Sequence, residues 1–596
     1  MKEVLRGLRL MLAISLGADA ARTVAALVTA SGQTLAFPFR ALALKSLVDG
    51  AAAHDGRRAL IGAGALAAVS LMGRLMTWAS FNVRMRLREN TQLHLDTHLM
   101  ALTAGIPGLE HHERPDYLDK VELVRSERES LANPFNPISW TVAAVAQNAS
   151  ILAMLFAVDP LLAMLPLFGI PTLLARFRNE KAQTDLRERQ TGPGRVRRHL
   201  FGLVTSAAAA KEVRIFGLTG VLAGRRRLLT RQLEGDRRAT ARRGHLLNLA
   251  GSLVFAAGYL AALLLVVHLA AGGRASLGAV VLVMALGAQV NGQVEVLADQ
   301  IAWTVRTHRA VVRFLWLTDY ARDRAAAVTP TRPVAAPARL ERGITLRDVS
   351  FTYPGTERPV LKSVDLFLPA GSTVAIVGSN GAGKTTLVKL LCRFYEPTGG
   401  AILLDDLALR DVPVAEWRAR IASGFQDFAR LSLLAREAVG VGDAARIDTD
   451  ADLLGALERA GAAELPGALP RGLDTQLGRD FKDGVDLSHG QWQKLALGRA
   501  MMRPTPLMLV LDEPTASLDA PTEHALFERF AGAARAGAAQ SAITVLVSHR
   551  FSTVRMADRI LVVDGGRIAE AGDHAALMRA GGLYAELYQL QARGYR

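Results

Sequence analysis

Residues 378–385, GSNGAGKT, place glycines and a lysine at the spacing of a loop that binds phosphate groups. Glycines let the backbone form a concavity lined by N–H groups, and a helix that begins there adds positive potential. The apolar run at 374–377 predicts a buried strand and the residues from Thr385 onward predict a helix, which is the context that such a loop requires. A glycine-rich turn without a ligand is the alternative, and this context disfavours it.

The loop chemistry assigns a role to two side chains in particular. We expect Lys384 to reach the terminal phosphates of a nucleotide and Thr385 to bind Mg²⁺. The predicted phosphate-binding residues are Gly378, Ser379, Asn380, Gly381, Ala382, Gly383, Lys384, Thr385 and Thr386.

Two carboxylates follow a second apolar run further along the chain. Residues 507–511 end abruptly in Asp512 and Glu513, as expected where a strand of a parallel sheet ends and functional groups collect. We expect Asp512 to hold Mg²⁺ and Glu513 to orient or deprotonate an attacking water, since phosphoryl transfer mainly needs positioning and charge neutralisation. A solvated Asp-Glu turn is the alternative, and it is disfavoured by the phosphate-binding loop upstream.

The motifs VSFTYPG, ASGFQDF, LSHGQ, ASLD and VLVSHR occur in one order, and from about residue 344 onward the chain resembles the ATP-binding cassette family. The resemblance implies ATP and Mg²⁺ as cofactors. It also implies that Tyr353 stacks on adenine and that Gln426 touches Mg²⁺ and senses a membrane domain. Asp519 would communicate between paired sites, and His549 would contact the γ-phosphate. Glu513, His549 and Gln426 form the predicted catalytic set.

The motif LSHGQ resembles the signature of this family, although His489 stands where the family usually has glycine. The resemblance implies that Ser488, Gly490 and Gln491 face the γ-phosphate of a nucleotide held by a second cassette. The imidazole of His489 would lie near that phosphate, which favours its protonation, and at a helix N-terminus, which disfavours it. Since Ser488 and Gly490 are retained, we interpret the motif as working.

Composition points to a membrane. Half of the 596 residues are hydrophobic, yet the formal net charge is +16. A soluble chain this basic would suggest nucleic acid, but no basic motif is interleaved with aromatic residues, so we expect no nucleic-acid partner. Instead, basic residues concentrate between six apolar segments, of which the first, second and fourth are the weakest. The segments are 18–44, 59–83, 135–158, 160–176, 246–270 and 276–298.

Basic residues also orient these segments. They flank the ends expected to be cytoplasmic, whereas the opposite connections are short. The fifth segment has no Asp, Glu, Lys or Arg and exceeds the roughly 20 residues that a span needs. The cytoplasmic connections are long and polar, as in the exporter type of the family, where such extensions end in short helices docked on the ATPase. HHERPDYLDKVE, at 111–122, and KEVRIFG, at 211–217, occupy the matching positions.

The predicted fold class is a membrane α-helical domain with six transmembrane helices, of the exporter type, fused to an α/β phosphate-loop ATPase domain. We expect the membrane domain at 1–326, a Pro/Ala-rich linker at 327–343 and the nucleotide-binding domain at 344–596. The basic N-terminus predicts a membrane-surface helix rather than a signal peptide. Cys392 is the single cysteine, so no disulfide is expected.

The favoured function is ATP-driven export across the bacterial cytoplasmic membrane, with the ATPase in the cytoplasm. The substrate would be a hydrophobic or amphipathic small molecule or peptide, and several stretches resemble exporters of lantibiotics and related modified peptides. Because each ATP needs a signature from another cassette, we expect a homodimer, with a heterodimer as the alternative. Alternatives for function are import of a chelated metal, lipid movement, or an ATP-gated channel or regulator, and the presence of Glu513 opposes the last. We further expect Arg74 and Glu295 to line the inner end of a substrate cavity.

Overall fold

The computed structural model describes residues 2–127, 130–131, 136–206, 209–513 and 541–594. The chain divides into two compact units. We call Met1–Ala101 with Asp119–Thr318 the membrane unit, and Leu102–Leu118 with Asp319–Arg596 the cassette unit.

The described part of the membrane unit is helical. Four of its helices have 49 to 53 residues, which is far more than the roughly 20 that cross a bilayer. Helices of this length agree with the long helical extensions that the sequence predicts. The helices that lie wholly or mostly in this unit are α1 (Lys2–Ala52), α2 (Gly56–Ala104), α3 (Pro115–Ser126), α4 (Asn136–Val158), α5 (Ile170–Arg189), α6 (Thr191–Thr205), α7 (Ala210–Ile215), α8 (Thr219–Ala271) and α9 (Leu277–Val328), with a 3-10 turn at Pro160–Gly169. A further 3-10 turn, Glu110–Glu113, belongs to the cassette unit.

Among the described residues, five segments are long and apolar enough to cross a membrane, and they coincide to within one residue at their starts with the second to sixth predicted spans or contain them. The first predicted span, 18–44, lies in α1, which is not among these five, so its crossing stays a prediction. Asp19 breaks the helical backbone of α1, with φ −166° and ψ 95°, and separates the basic N-terminal part from the apolar part. The five segments are Gly56–Ala104, Asn136–Val158, Pro160–Arg187, Thr219–Ala271 and Leu277–Val328.

Small residues let the membrane helices approach one another closely. A Cβ on Gly251 would lie 2.8 Å from the backbone of Thr172, and one on Gly258 would lie 2.3 Å from the ring of Phe168. Both glycines are on α8, whereas Phe168 lies in the 3-10 turn before α5 and Thr172 lies in the first turn of α5. Helix α8 therefore packs along the fourth predicted span. Close backbone approach is the usual means of helix association where lipid removes the hydrophobic driving force.

The described part of the cassette unit is built on two sheets. A four-stranded antiparallel sheet has the order β2-β1-β4-β5, and a six-stranded sheet has the order β10-β9-β3-β8-β7-β6. In the second sheet every pairing is parallel except that of β10 with β9. The strands are β1 (Gly343–Phe351), β2 (Leu361–Pro369), β3 (Thr373–Gly378), β4 (Gly399–Leu404), β5 (Leu407–Ala408), β6 (Ile421–Gly424), β7 (Met508–Asp512), β8 (Ile543–Val547), β9 (Arg559–Asp564) and β10 (Arg567–Gly572).

Helices cover the six-stranded sheet and bury its apolar strands. Val510 of β7 and Val545 of β8 are fully buried in one cluster with Leu387. Central strands buried on both faces explain the continuous apolar runs in the sequence. The helices are α10 (Lys384–Leu391), α11 (Val414–Ala419), α12 (Ala435–Gly440), α13 (Asp450–Arg459), α14 (Leu465–Ala468), α15 (His489–Ala500), α16 (Phe551–Val554), α17 (His574–Ala580) and α18 (Leu583–Gly594).

The segment 102–118 belongs to the cassette unit and docks on α10, as predicted for the stretch that begins at His111. Glu113 accepts hydrogen bonds from Lys389 Nζ at 2.8 Å and from the hydroxyl of Tyr395 at 2.6 Å. Arg418 donates to the carbonyl of Pro107 at 2.6 Å. His111 is 2 % exposed, and its burial lowers its pKa to about 4. This segment is therefore fixed to the helix that begins at the phosphate-binding loop.

Candidate nucleotide site

Four neighbouring parallel strands end at one edge of the six-stranded sheet. β3, β8, β7 and β6 are adjacent in that order, and the carboxyl end of each leads directly into a predicted site residue or loop. β3 runs into the loop 378–383, β7 ends at Asp512, His549 follows β8, and Gln426 follows β6. Sites in open α/β sheets form at this edge, because chain ends from different strands meet there.

The loop after β3 has the backbone that its glycines predict. Gly378 has φ 150°, and a Cβ there would lie 2.1 Å from the carbonyl oxygen of Val563. Gly383 has φ 111° and stands directly before α10. Lys384 Nζ donates to the carbonyl oxygens of Gly378 and Ser379, both at 2.9 Å, so the ammonium sits inside the loop. The backbone thus forms a cradle at the N-terminus of α10, which suits an anion.

Lys384 and Asp512 are both buried, and burial shifts the pKa of each side chain towards its neutral form. Burial lowers the pKa of Lys384, although the carboxylates of Glu513 and Asp512 oppose the shift. Burial and then the charges of Glu513 and Asp427 raise the pKa of Asp512 to about 6. An anion beside Lys384 and a cation beside Asp512 would stabilise the charged forms of both. Together with the exposed Thr385, this donor set fits a nucleotide phosphate with Mg²⁺.

Glu513 and His549 lie side by side. Glu513 Oε1 is 3.4 Å from His549 Nδ1, and their side chains are 17 % and 52 % exposed. Glu513 has φ 47°, in the left-handed region, and its N–H donates to the carbonyl of Val547 at 2.9 Å. Non-glycine residues seldom adopt this conformation outside functional sites or tight turns. The backbone therefore turns the Glu513 carboxylate away from the end of β7 and towards the end of β8.

Tyr353 packs among aromatic residues of the cassette unit. Its ring packs edge-on against Phe351 and Tyr395, with centroids 4.9 and 5.4 Å away, and its hydroxyl hydrogen-bonds the Thr386 hydroxyl at 3.1 Å. Lys389 Nζ lies 5.3 Å from the ring centroid. Stacking of Tyr353 on adenine stays a prediction.

The signature residues stand at the N-terminus of α15. Ser488 is the N-cap: its hydroxyl accepts from Gln491 N at 3.2 Å, while Gln491 Oε1 accepts from Ser488 N at 2.8 Å. This reciprocal pair is a capping box, and it leaves Ser488 and His489 exposed. His489 Nδ1 lies 2.9 Å from a guanidinium nitrogen of Arg430, and its ring centroid is 5.6 Å from that of Phe428. Because arginine only donates, Nδ1 of His489 is the acceptor of this hydrogen bond.

Two charged residues of this region, Asp427 and Arg430, were not predicted from the sequence. Asp427 raises the pKa of Asp512, and Arg430 holds His489. Asp427 adjoins the predicted metal ligand Gln426, which was a usable signal, whereas Arg430 lies in no motif. Gln426 itself is exposed in a turn after β6. Asp519 lies outside the described residues.

In the membrane unit, Glu295 is paired with a residue other than Arg74. Arg176 on α5 donates to Glu295 at 2.6 Å and to Asp299 at 3.1 Å, both on α9. Arg74 is exposed on α2. Glu295 and Asp299 are therefore bound to the fourth predicted span through Arg176, and the expectation that Arg74 and Glu295 line the inner end of a substrate cavity stays a prediction.

Comparison with known proteins agrees with this geometry. Residues 361–516 match the ABC transporter family model. The chain is 42 % identical over 245 residues to an ATP-dependent lipid A-core flippase of Chromobacterium violaceum, and 40 % identical over 267 residues to one of Cupriavidus pinatubonensis. These alignments cover 41 % and 44 % of this chain and 40 % and 44 % of the relatives, so the chain matches less than half the length of each.

A solved structure matches over nearly the whole chain. A bacterial Atm1-family ABC exporter with ATP bound superposes with a TM-score of 0.75 at 26 % identity, over 97 % of this chain and 98 % of that one. The fold is therefore that of an ABC exporter half-transporter, in which a helical membrane domain and a phosphate-loop ATPase domain share one chain. It is a multi-pass membrane protein whose ATPase domain lies on the cytoplasmic side.

Proposed function

We propose that the protein uses ATP hydrolysis to export a substrate across the bacterial cytoplasmic membrane. The observation that carries this proposal is the edge of the six-stranded sheet, where four adjacent strands bring together Lys384, Gln426, Asp512 with Glu513, and His549. Positioning and charge neutralisation are what phosphoryl transfer requires, and these residues supply both.

Each of these residues has a role that follows from its place. The loop N–H groups and Lys384 hold the phosphates, while Thr385, Asp512 and Gln426 hold Mg²⁺, whose charge screens the phosphates when bound. Glu513 orients water and accepts its proton, and His549, 3.4 Å from Glu513, contacts the terminal phosphate. Glu513 is one-sixth exposed, so water reaches it while its backbone holds it in place.

The active form contains two cassettes, most simply from two copies of this chain. Ser488 and His489 are exposed at the N-terminus of α15, where a phosphate from another subunit can approach. In the membrane unit, Ile215 and Phe216 at the end of α7 are 80 % and 69 % exposed. Exposed large apolar side chains at the tip of a connection suit contact with a partner, and this is the second predicted docking segment.

Coupling between membrane and ATPase runs through segment 102–118. Glu113 holds Lys389 of α10, the helix whose first residue is Lys384. Although burial acts against it, the hydrogen bonds from Lys389 and Tyr395 lower the pKa of Glu113, so the ion pair is charged at neutral pH. A shift of this segment would therefore move the phosphate-binding helix directly.

The substrate is a hydrophobic or amphipathic molecule, and a modified peptide or small natural product is our first candidate. This choice rests on the resemblance of stretches such as KEVRIFG and LSHGQWQK to exporters of lantibiotics and related modified peptides. A lipid is the second candidate, because the curated relatives are named lipid A-core flippases. Import of a chelated metal and gating of a channel use the same fold, and the presence of Glu513 opposes pure gating.

Substrate-stimulated ATPase activity in lipid vesicles tests the proposal. The full chain would be reconstituted and assayed with cationic modified peptides, amphipathic drugs, lipid A-type lipids and chelated metals, and the direction of movement of any stimulating compound would be measured. Glu513→Gln serves as the inactive control. Stimulation by peptides or drugs with outward movement supports the first candidate, and stimulation by lipid alone supports the second. Hydrolysis that equals the control would reject ATP-driven transport altogether.

A further inference from the structure

The C-terminal helix α18 reaches the loop that carries His549. Gln591 Nε2 donates to the carbonyl oxygen of His549 at 2.9 Å, and Gln591 Oε1 accepts from the N–H of Phe551 at 3.1 Å. The amide nitrogen of a glutamine only donates and its oxygen only accepts, so the two bonds together fix its orientation. One side chain thus bridges both ends of the stretch 549–551.

These two bonds matter because burial does not hold His549 in place. Its side chain is 52 % exposed, and it faces Glu513 at 3.4 Å. Phe551 begins α16, and the N-cap residue Arg550 provides no side-chain cap. Gln591 accepts one of the N–H groups that the first turn of a helix leaves unpaired. The conformation of the loop therefore depends on a residue about 40 positions away in sequence.

Packing and hydrogen bonds hold helix α18, which carries Gln591, in place. Tyr584 is fully buried, and Glu570 accepts hydrogen bonds from the backbone N–H groups at the start of the helix. The rings of Tyr584 and Tyr588 pack edge-on against Phe551, with centroids 5.3 and 5.5 Å away. A site is held most precisely when the residues behind it are themselves fixed by packing.

We propose that Gln591 is a positioning residue for His549 in ATP hydrolysis, an inference that rests on the proposed function. Without Gln591 the stretch 549–551 relaxes and His549 leaves its place beside Glu513. The maximal rate of hydrolysis then falls, since misplacement of a reacting group is costly. ATP affinity stays, because the hydrogen bonds of Gln591 go to the His549 loop and not to the phosphate-binding loop.

The test compares three variants of the full chain in lipid vesicles. Gln591→Leu removes both bonds, and Gln591→Glu keeps the size but sets a carboxylate against the His549 carbonyl. Gln589→Leu, at an exposed position of the same helix, is the matched control. Both Gln591 variants should lose about tenfold in kcat with KM for ATP within about twofold, and the control should match the parent.

A fourth comparison asks whether Gln591 acts through His549. In a His549→Ala background, Gln591→Leu should change the residual rate by less than about twofold, because the group that it positions is gone. A parental rate in Gln591→Leu, a fall in ATP affinity as large as the fall in rate, or full additivity with His549→Ala would overturn the inference. If the parent hydrolyses ATP no faster than Lys384→Ala, the proposed function itself fails.

Discussion

The cassette unit and the membrane unit hold their charged residues in different ways. In the cassette unit, Asp512 and Glu513 are placed by the end of one strand, and Lys384 by a glycine loop. In the membrane unit, Arg176 is placed by its partner Glu295, which is 119 residues away in sequence. In the cassette unit, the local backbone therefore positions the charged side chains. On the long helices of the membrane unit, a charged side chain is positioned by a partner that is remote in sequence.

The largest expected effect on ATP hydrolysis comes from substitutions in the nucleotide site of the cassette unit. Glu513→Gln should reduce ATP turnover by about 10²-fold or more while ATP binding persists, because the water-orienting carboxylate is lost. Lys384→Ala should instead weaken nucleotide binding, since the cation inside the loop is removed. Steady-state hydrolysis and binding of a fluorescent ATP analogue separate the two. Near-parental hydrolysis in Glu513→Gln would show that the strand-end carboxylate is not catalytic.

The signature motif should show a smaller, graded effect. We expect His489→Gly to keep ATPase activity within about tenfold of the parent, because its imidazole is bound to Arg430 and is not required as an acid or base. Ser488→Ala should cost more, since it also removes the N-cap of α15. Gly490→Asp should cost most, because it sets a carboxylate against phosphate. Maximal rates at saturating ATP rank the three, and a greatest loss in His489→Gly would refute this order.

Segment 102–118 provides a test of the proposed coupling, because Glu113 in it is bound to Lys389 of α10. Glu113→Gln weakens the contact with Lys389, so substrate stimulation of the ATPase should fall about fivefold while basal hydrolysis stays near the parental rate. Asp116→Asn is the matched control, because Asp116 pairs with Arg114 in the same segment. Equal stimulation in parent and Glu113→Gln would mean that coupling runs through other contacts.

Acidic pH should loosen the same segment. The pKa of His111 is about 4 in the folded protein and about 6.5 in an unfolded chain, so the unfolded chain takes up a proton first as the pH falls. Stability is therefore full above pH 6.5 and declines towards pH 4, by about 1 kcal/mol at pH 5.5. Thermal unfolding of parent and His111→Phe at pH 7 and 5.5 checks this. A parent whose pH dependence equals that of the variant would contradict it.

The smallest expected effect belongs to the ion pairs of the membrane unit. Arg176→Gln leaves Glu295 and Asp299 without their partner and should cost up to about 1 kcal/mol, since these groups are partly exposed. Adding Glu295→Gln should restore part of the loss. Arg74→Gln should change stability little, because Arg74 is exposed on α2. Thermal midpoints in detergent test this, and a larger loss in Arg74→Gln would reverse the assignment.

Sequence predicted the cassette more completely than the membrane unit, for physical reasons. The loop at 378–385 and the pair Asp512 and Glu513 need particular residue types in consecutive positions, so a local pattern reveals them. The packing of Tyr353 against Tyr395, the bond from Arg430 to His489 and the bridge made by Gln591 join positions far apart in sequence. No periodicity encodes such contacts, and only the folded chain brings them together.

Five of the six predicted spans lie in helices of sufficient length and hydropathy, because an apolar run of bilayer length is itself a local pattern. The pairing of Arg176 with Glu295 depends instead on how α5 and α9 are rotated towards each other. A charged residue in a span signals a partner or a wet cavity, but its sequence neighbours do not reveal which. That is why the bond from Arg176 to Glu295 could not be predicted from the sequence, while the lining of a cavity by Arg74 and Glu295 stays a prediction.

The central claim is that hydrolysis at the cassette drives movement through the membrane domain. The most direct measurement is transport of a labelled substrate, chosen from the compounds that stimulate hydrolysis, in vesicles that contain the parent or Glu513→Gln. We predict Mg²⁺- and ATP-dependent accumulation on the side opposite the cassette in the parent, and none above background over many cycles in Glu513→Gln. Accumulation of equal extent in Glu513→Gln, or in the parent without ATP, would contradict the account.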